Sequence, residues 1–263
     1  MYLVVNGVKT FAGTGGRDFD AKLPLVVFVH GAGLDHTVWA LLARWFAHRG
    51  CGVLAPDLPG HGRSSGEPLG SIAAVADWIA ALIAATKAGR ASIIGHSMGC
   101  LVAMETAARH PDKVSALGLI GAAAAMPVAP DLLDAAKADD HAAIDMMSIW
   151  GHGFRAGLGG SLAPGLWMMR TAERLLERSR PGVLFQDLSA CNAYGDGLAS
   201  AAKVSAPAIV VLGERDVMTP AKGGRELAAA FPNARTVVLG GAGHMLLSER
   251  PDEVLAALRG LAP

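Results

Sequence analysis

The residue types able to do chemistry in this chain sit in a few short glycine-rich stretches. The pattern Gly-x-Ser-x-Gly occurs twice, at Gly95-His96-Ser97-Met98-Gly99 and at Gly62-Arg63-Ser64-Ser65-Gly66. A serine hydroxyl attacks a carbonyl only when a base takes its proton, and the enzymes that use it lift the serine out on a sharp strand-to-helix turn. Glycines two residues to either side let neighbouring backbone pass close to such a turn. With 33 glycines in 263 residues, a chance match is expected, so context has to choose. Ser97 follows the apolar run Ala91–Ile94 and opens the helix-like stretch Met98–Arg109, whereas Ser64 lies between Pro59-Gly60-His61 and Glu67-Pro68, loop on both sides. Ser97 is the expected nucleophile and Ser64 a loop serine. A plain helix N-cap would account for Ser97 but not for its flanking glycines.

The base must be found among nine histidines. His244 ends Gly240-Gly241-Ala242-Gly243-His244, directly after the last strand-like run. In a parallel sheet the loops that follow strands share one edge, so this loop can reach Ser97. Asp216, in Gly213-Glu214-Arg215-Asp216, follows the strand-like run Ala208–Leu212 on the same edge. A carboxylate there would fix the imidazole tautomer and stabilise the imidazolium. Glu214 is the nearest rival and is expected to be solvated or paired. No acid follows the run Val114–Ile120, where Gly121 and Ala122 stand. The chain order Ser97, Asp216, His244 is the one used by serine hydrolases built on an open α/β sheet.

A tetrahedral intermediate also needs two N–H donors for its oxyanion. The run Leu25–Val29 leads into His30-Gly31-Ala32-Gly33. Ala32 is the expected first donor, with Gly33 as the fallback, and Met98, the residue after the nucleophile, is the second. A phosphate-binding reading of the same glycines is disfavoured because no Gly-Lys-Ser/Thr follows. His30 and His96 are expected to be core histidines satisfied by backbone. In Asp57-Leu58-Pro59-Gly60-His61-Gly62-Arg63-Ser64, Asp57 is expected to organise its own loop by accepting local N–H groups, with Arg63 as a possible ion partner.

The elements that must position these groups are legible as alternating patterns. Leu25–Val29, Ala91–Ile94, Val114–Ile120 and Ala208–Leu212 are almost wholly apolar, as strands buried on both faces of a parallel sheet are. Gly52–Ala55 and Thr236–Leu239 are weaker members of the set. Helix-like segments lie between and after them: Val38–His48, Ile72–Thr86, Met98–Arg109, Gly224–Ala230 and Pro251–Leu261. The alternation predicts an α/β fold with a mostly parallel, doubly wound sheet. Asn6-Gly7, between two short strand-like stretches, predicts an antiparallel hairpin at the start.

The alternation breaks between residues 122 and 202. Three helix-like stretches (Asp131–Lys137, His141–Trp150, Trp167–Arg178) are separated there by glycine-rich turns, and Met126, Met146, Met147, Met168 and Met169 fall among them. This predicts a helical cap, 122–202, inserted into a core made of 1–121 and 203–263.

Composition narrows the function. A 52% hydrophobic content can build a core without metal or disulfide, and the three scattered cysteines (Cys51, Cys100, Cys191) predict reduced thiols and a cytoplasmic location. Formal charge is zero with dispersed basic residues, so nucleic acid is not an expected partner. The longest apolar run, residues 114–130, is interrupted by Ser115, Gly118, Gly121 and Pro127, and neither a membrane span nor a signal peptide is expected.

Together, HGAG at 30–33, DLPGHGRS at 57–64, GHSMG at 95–99, GERD at 213–216 and GAGH at 241–244 resemble the α/β-hydrolase superfamily, and the resemblance covers nearly the whole chain. Within it the sequence looks most like small capped carboxylesterases, enol-lactonases and related hydrolases. The resemblance implies oxyanion donors at Ala32 and Met98. Serine at position 97 argues against dehalogenases and epoxide hydrolases, which carry aspartate there, and His96 departs from the asparagine usual in carbon–carbon bond hydrolases. Cys100 replaces a frequent second glycine.

The expected activity is hydrolysis of carboxylic esters of a small to medium, largely apolar substrate through an acyl-enzyme on Ser97, without cofactor or metal. A lactonase, carbon–carbon bond hydrolase or perhydrolase with the same triad is the alternative, and a non-enzymatic ligand sensor a remote one. Gly31, Gly33, Trp150, Trp167, Met218 and Met245 are the expected substrate-binding residues. Arg155, Arg170 and Arg174 in the cap would contradict an uncharged substrate if they faced the pocket.

Overall fold

A computed structural model describes residues 1–160 and 167–261. Among these, eight strands form one sheet in the order β1-β2-β4-β3-β5-β6-β7-β8. They are β1 (Tyr2–Val5), β2 (Val8–Gly13), β3 (Leu25–Val29), β4 (Gly52–Pro56), β5 (Ala91–His96), β6 (Val114–Ile120), β7 (Ala208–Gly213) and β8 (Ala234–Leu239). β1 and β2 pair antiparallel through a turn at Asn6 (φ 49°) and Gly7 (φ 79°), both left-handed as a two-residue hairpin of this type requires. β2 pairs antiparallel with β4, and every later pair from β4 and β3 outward to β8 is parallel.

Every residue of β3 is buried, and its two faces feed different halves of the core. Val27 and Val29 pack with Ile79 and Leu82 of α2 (Ile72–Thr86), Leu101 of α3 (Met98–Arg109) and Leu227 of α10 (Ala221–Ala230). Val26 and Phe28 pack on the opposite side with Leu42 and Phe46 of α1 (Ala40–Ala47) and Val254 of α12 (Pro251–Leu258). Alternate side chains of a strand point to opposite faces, so a sheet covered by helices on both sides needs this unbroken apolar sequence. α2 runs as its sequence predicts because Ser71 caps it, accepting from Ala74 N–H, and Lys87 closes it in the left-handed conformation at φ 63°.

The strands lie where the sequence places them, with β5 and β7 each running a little further, to His96 and Gly213. Between β6 and β7 come α4 (Pro130–Lys137), α5 (His141–Gly151), α6 (Phe154–Gly157), α7 (Met168–Leu176), α8 (Val183–Ala193) and α9 (Gly197–Lys203). α5 packs on α4 and α7, and α8 packs on α4 and α3. α9, within the stretch assigned to the cap by sequence, packs against α3 and α10. α8 and α9 are helices the sequence pattern did not disclose. α8 follows Pro181-Gly182 and carries Asp187, Ser189, Cys191 and Asn192, weak helix formers, so contacts rather than propensity hold it. Part of the expected cap, 161–166, lies outside the described residues. After β8, α11 (Leu246–Glu249) leads into α12. Cys51, Cys100 and Cys191 are free and buried.

Candidate active site

The β5–α3 turn is a strained elbow. Ser97 has φ 54° and ψ −122°, a conformation that favours glycine, and its side chain does not cap the helix it precedes. The flanking glycines now have a reason. A Cβ on Gly95 would overlap the Gly99 carbonyl, and one on Gly99 would overlap the Val29 carbonyl of the adjacent strand. Ser97 N–H donates to Ile120 O at 3.0 Å, tying the turn to β6. Cys100 takes the place of a second glycine without cost: its thiol is within hydrogen-bonding distance of the carbonyls of Gly95 (3.2 Å) and Ile120 (3.1 Å).

Asp216 and His244 meet beside this turn, both buried. His244 Nδ1–H donates to Asp216 Oδ2 at 2.8 Å, which leaves Nε2 as the basic nitrogen. Asp216 Oδ1 accepts the N–H groups of Met218 (2.9 Å) and Thr219 (2.8 Å), and Oδ2 accepts the Thr219 hydroxyl at 2.7 Å. Burial alone would raise the Asp216 pKa, but the neighbouring His244 and the Thr219 donors outweigh it and hold the carboxyl below its ordinary value. Gly121, just past β6, has φ 63°, and a Cβ there would sit 3.1 Å from the His244 ring. The position after β6 therefore has room for the imidazole only because it carries no side chain. Glu214 turns outward and accepts from Gly241 N–H at 2.9 Å, a partner within its own pair of loops.

The two other histidines near the centre are occupied by backbone. His30 Nδ1–H donates to Gly31 O at 2.9 Å while Nε2 accepts from Leu58 N–H at 3.1 Å. Burial, with His61 nearby, pushes its pKa down to about 4. His96 Nε2–H donates to the His244 carbonyl at 2.9 Å, and burial pushes its pKa down to about 3. His96 thereby steadies the backbone of the candidate base as a neutral ring. Asp57 gathers its loop through N–H groups of His36 (2.8 Å) and Arg63 (2.8 Å) and through His36 Nδ1 (2.7 Å). The expected Arg63 ion pair does not form. Its guanidinium stacks instead over the Phe11 ring, 3.9 Å from the centroid.

Behind Ser97, Gly31 approaches so closely that a Cβ on it would lie 3.1 Å from the serine Cβ. Met98 is the first residue of α3, so its N–H has no partner within the helix. Ala32 lines the cavity beside Ser97 and His244. Gly33, the fallback donor, is engaged elsewhere, since its N–H donates to Asp187 Oδ2 at 2.8 Å.

Two spaces adjoin Ser97 and His244, sharing Ala32, Met147 and Met218 as walls. The larger, about 210 Å³, is walled by Met126, Val128, Leu132, Met147, Trp150, Leu188 and Met218. The smaller, about 20 Å³, lies against Gly31, Leu34, Ala172, Leu176, Met218 and Met245. Of the expected substrate-binding residues, Gly31, Trp150, Met218 and Met245 thus line these spaces. Gly33 and Trp167 do not. Gly33 is covered by Leu176 and Leu184, and Trp167, at the start of α7, is 60% exposed. No lysine or arginine among the described residues lines either space; Arg170 pairs with Glu173 and Arg174 with Glu177 along α7.

Thr219, Asp187 and Glu249 are polar residues of this region that sequence reasoning missed. Glu249 is buried and accepts from Gly243 N–H (3.0 Å) in the His244 loop and from Gly153 N–H (3.1 Å) between α5 and α6. Asp-x-x-Thr at 216–219 is a local turn signature that pointed to Thr219; nothing local marks the other two.

Residues 24–251 match the family model described as the alpha/beta hydrolase fold. The chain belongs to the α/β-hydrolase family. This α/β-hydrolase is 34% identical to a pimeloyl-[acyl-carrier protein] methyl ester esterase of Chromobacterium violaceum over 254 residues, covering 89% of this chain and 92% of the relative. A protein of the same description from Neisseria meningitidis serogroup B is 31% identical, covering 83% and 85%. Among solved structures, the enol-lactonase of Burkholderia xenovorans LB400 superposes with a TM-score of 0.86 at 25% identity, covering 99% of each chain. A thermophilic esterase superposes at 0.81 with 29% identity, covering 99% and 95%. No described helix is long and apolar enough to cross a membrane.

Proposed function

We propose that this α/β-hydrolase cleaves carboxylic esters of small to medium, largely apolar substrates through an acyl-enzyme on Ser97. The observation that carries the reading is His244, 2.8 Å from buried Asp216, lining one cavity with a serine held on a strained turn. His244 Nε2 takes the Ser97 proton as Oγ adds to the carbonyl carbon. The oxyanion is met by the N–H groups of Ala32 and Met98. The imidazolium then gives its proton to the leaving alkoxide, and the alcohol departs. Water, deprotonated by the same nitrogen, adds to the acyl carbon and releases the acid with Ser97 restored.

The named activity of the Chromobacterium and Neisseria relatives, methyl ester hydrolysis, agrees with this chemistry. So does the shape of the site. The smaller space suits a leaving group of one or two carbons, the larger an uncharged acyl chain. In this reading residues 122–202 form the cap over a core of 1–121 and 203–263. The three buried free thiols support a cytoplasmic setting.

The test is hydrolysis of methyl and p-nitrophenyl esters across a series of acyl lengths, with Ser97→Ala beside the wild type. Turnover that vanishes in the variant is the expected result. Wild type that reacts with a fluorophosphonate probe but opens lactones and leaves open-chain esters intact would replace the ester by a cyclic substrate.

A further inference from the structure

The oxyanion loop is held from the cap. Asp187, on α8, is 3% exposed, and its Oδ2 accepts two hydrogen bonds from core loops. One comes from Gly33 N–H at 2.8 Å, the other from His61 Nε2–H at 2.8 Å. His61 in turn donates Nδ1–H to Pro59 O at 3.0 Å. A ring that donates from both nitrogens is an imidazolium, so the contact is a buried ion pair. Burial alone would lower the His61 pKa, but the Asp187 charge and hydrogen bond outweigh it and hold it above the ordinary value. His30, whose ring centre is 4.9 Å from that of His61, stays neutral, and Asp57 adds a second negative charge nearby.

Gly33 could not be held this way with a side chain. It has φ 66°, and a Cβ would press on Leu184 of α8 at 3.0 Å and Leu176 of α7 at 3.1 Å. Its N–H belongs to the Ala32–Gly33 peptide, which joins through the Ala32 Cα to the peptide carrying the Ala32 N–H, the candidate oxyanion donor. A carboxylate that fixes Gly33 N–H therefore fixes the rotation of the neighbouring peptide.

We propose that Asp187 is a positioning residue for the oxyanion hole, aligning the Ala32 N–H through its hydrogen bond to Gly33, with His61 keeping the carboxylate in place. The inference rests on reading Ala32 N–H as the oxyanion donor of an ester hydrolase. It makes the cap part of the transition-state machinery as well as a roof over the substrate. Loss of a whole oxyanion donor costs about 10²–10³ in kcat. A donor left in place but misaligned forfeits part of that, roughly ten- to hundred-fold.

Three variants are compared on a p-nitrophenyl ester that the wild type turns over. Asp187→Ala leaves Gly33 N–H without its acceptor. Asp187→Asn keeps an acceptor, because the amide oxygen can stand where Oδ2 does and take the Gly33 N–H bond, while the carboxylate charge beside His61 is lost. Arg180→Ala removes a different cap tether, the guanidinium contacts with the carbonyls of Ser64 and Gly66, which involve neither Gly33 nor Asp187. The expected result is a ten- to hundred-fold loss of kcat in Asp187→Ala with KM within about threefold, and a matching loss of affinity for a trifluoromethyl ketone, which forms a tetrahedral adduct. Asp187→Asn should recover most of the rate, and Arg180→Ala should keep the wild-type kcat.

The proposal is overturned if Asp187→Ala keeps its kcat, if Asp187→Asn falls as far as Asp187→Ala, or if Arg180→Ala shares the loss. If Asp187→Ala does not fold, Asp187→Asn decides. A near-native rate with slow amide exchange at Gly33 supports the proposal, and a large loss of rate in the folded protein refutes it. A wild type that hydrolyses no ester and takes no fluorophosphonate would instead remove the reading on which the inference rests.

Discussion

Replacing Ser97 by glycine should give a more heat-stable protein than replacing it by alanine, although both remove the hydroxyl. The backbone of Ser97, at φ 54° and ψ −122°, occupies a region that glycine enters freely and that resists any residue with a Cβ. A residue held in such a region stores about 1–3 kcal/mol. Alanine keeps the Cβ and keeps that strain, whereas glycine releases it. Against the release stands the greater freedom of glycine in the unfolded chain, a cost of about 0.5–1 kcal/mol. At the middle of these ranges the balance favours glycine by about 1 kcal/mol. For a chain of this length each kcal/mol moves the melting midpoint by about 2 °C, so Ser97→Gly should melt roughly 2 °C above Ser97→Ala. Differential scanning calorimetry of the two inactive variants near neutral pH reads this directly. Equal midpoints, or glycine the lower, would refute the idea that the turn stores strain to present the serine.

Other outcomes follow from the same structure. Thr219→Val removes one of the four hydrogen bonds to Asp216 while keeping the side-chain volume, and should lower kcat about 3–30-fold with little change in KM, since part of a bond to a charged group, worth about 1.5–3 kcal/mol in full, is felt in the transition state; unchanged kcat would show that Thr219 is a bystander. Gly99→Ala drives a Cβ into the Val29 carbonyl and should cost more than about 3 kcal/mol in urea unfolding, whereas Gly240→Ala, with no neighbouring atom within 4 Å, should stay within about 0.5 kcal/mol; similar costs at the two sites would contradict the close packing at the elbow. Stability should also fall on acidification. His30 and His96 have folded pKa values of about 4 and about 3, so from about pH 7.5 to about pH 5 the unfolded chain gains protons at both that the folded chain refuses, a loss of about 2 kcal/mol each. His61, raised in the folded state, works in the opposite sense and offsets part of this, because its contribution is present at low pH and fades as pH rises. Chemical denaturation at the two pH values checks the sum, and His96→Gln should flatten the dependence.

The sheet was legible because buried strands carry their own signal. Leu25–Val29 and, apart from Ser115, Val114–Ile120 are apolar without alternation, and the structure buries every residue of the two strands except that serine. The loops at the ends of β5, β7 and β8 were legible through glycine, where the structure shows close approaches such as Gly99 against the Val29 carbonyl and Gly213 against the Gly243 carbonyl. What stayed hidden depends on contacts between distant segments. Asp187 lies 154 residues from Gly33 and 126 from His61 in sequence, and an aspartate amid weak helix formers gives no sign of either partner. Trp167 shows the opposite error: a large apolar side chain between β6 and β7 invites a place in the pocket, yet it lies 60% exposed while the smaller Leu132 and Leu188 form part of the wall. Hydrophobicity tells that a cap residue can be buried, but not which side of a short helix the cavity is on.

The most direct test of the account is to trap the covalent intermediate. The enzyme is mixed with a p-nitrophenyl ester, quenched in acid before the steady state ends, digested, and its peptides weighed. The account predicts one acyl group per chain on the peptide containing Ser97, absent in Ser97→Ala and accumulating in His244→Ala only at a greatly reduced rate. An acyl group found on Ser64, or ester turnover that survives in Ser97→Ala, would contradict it.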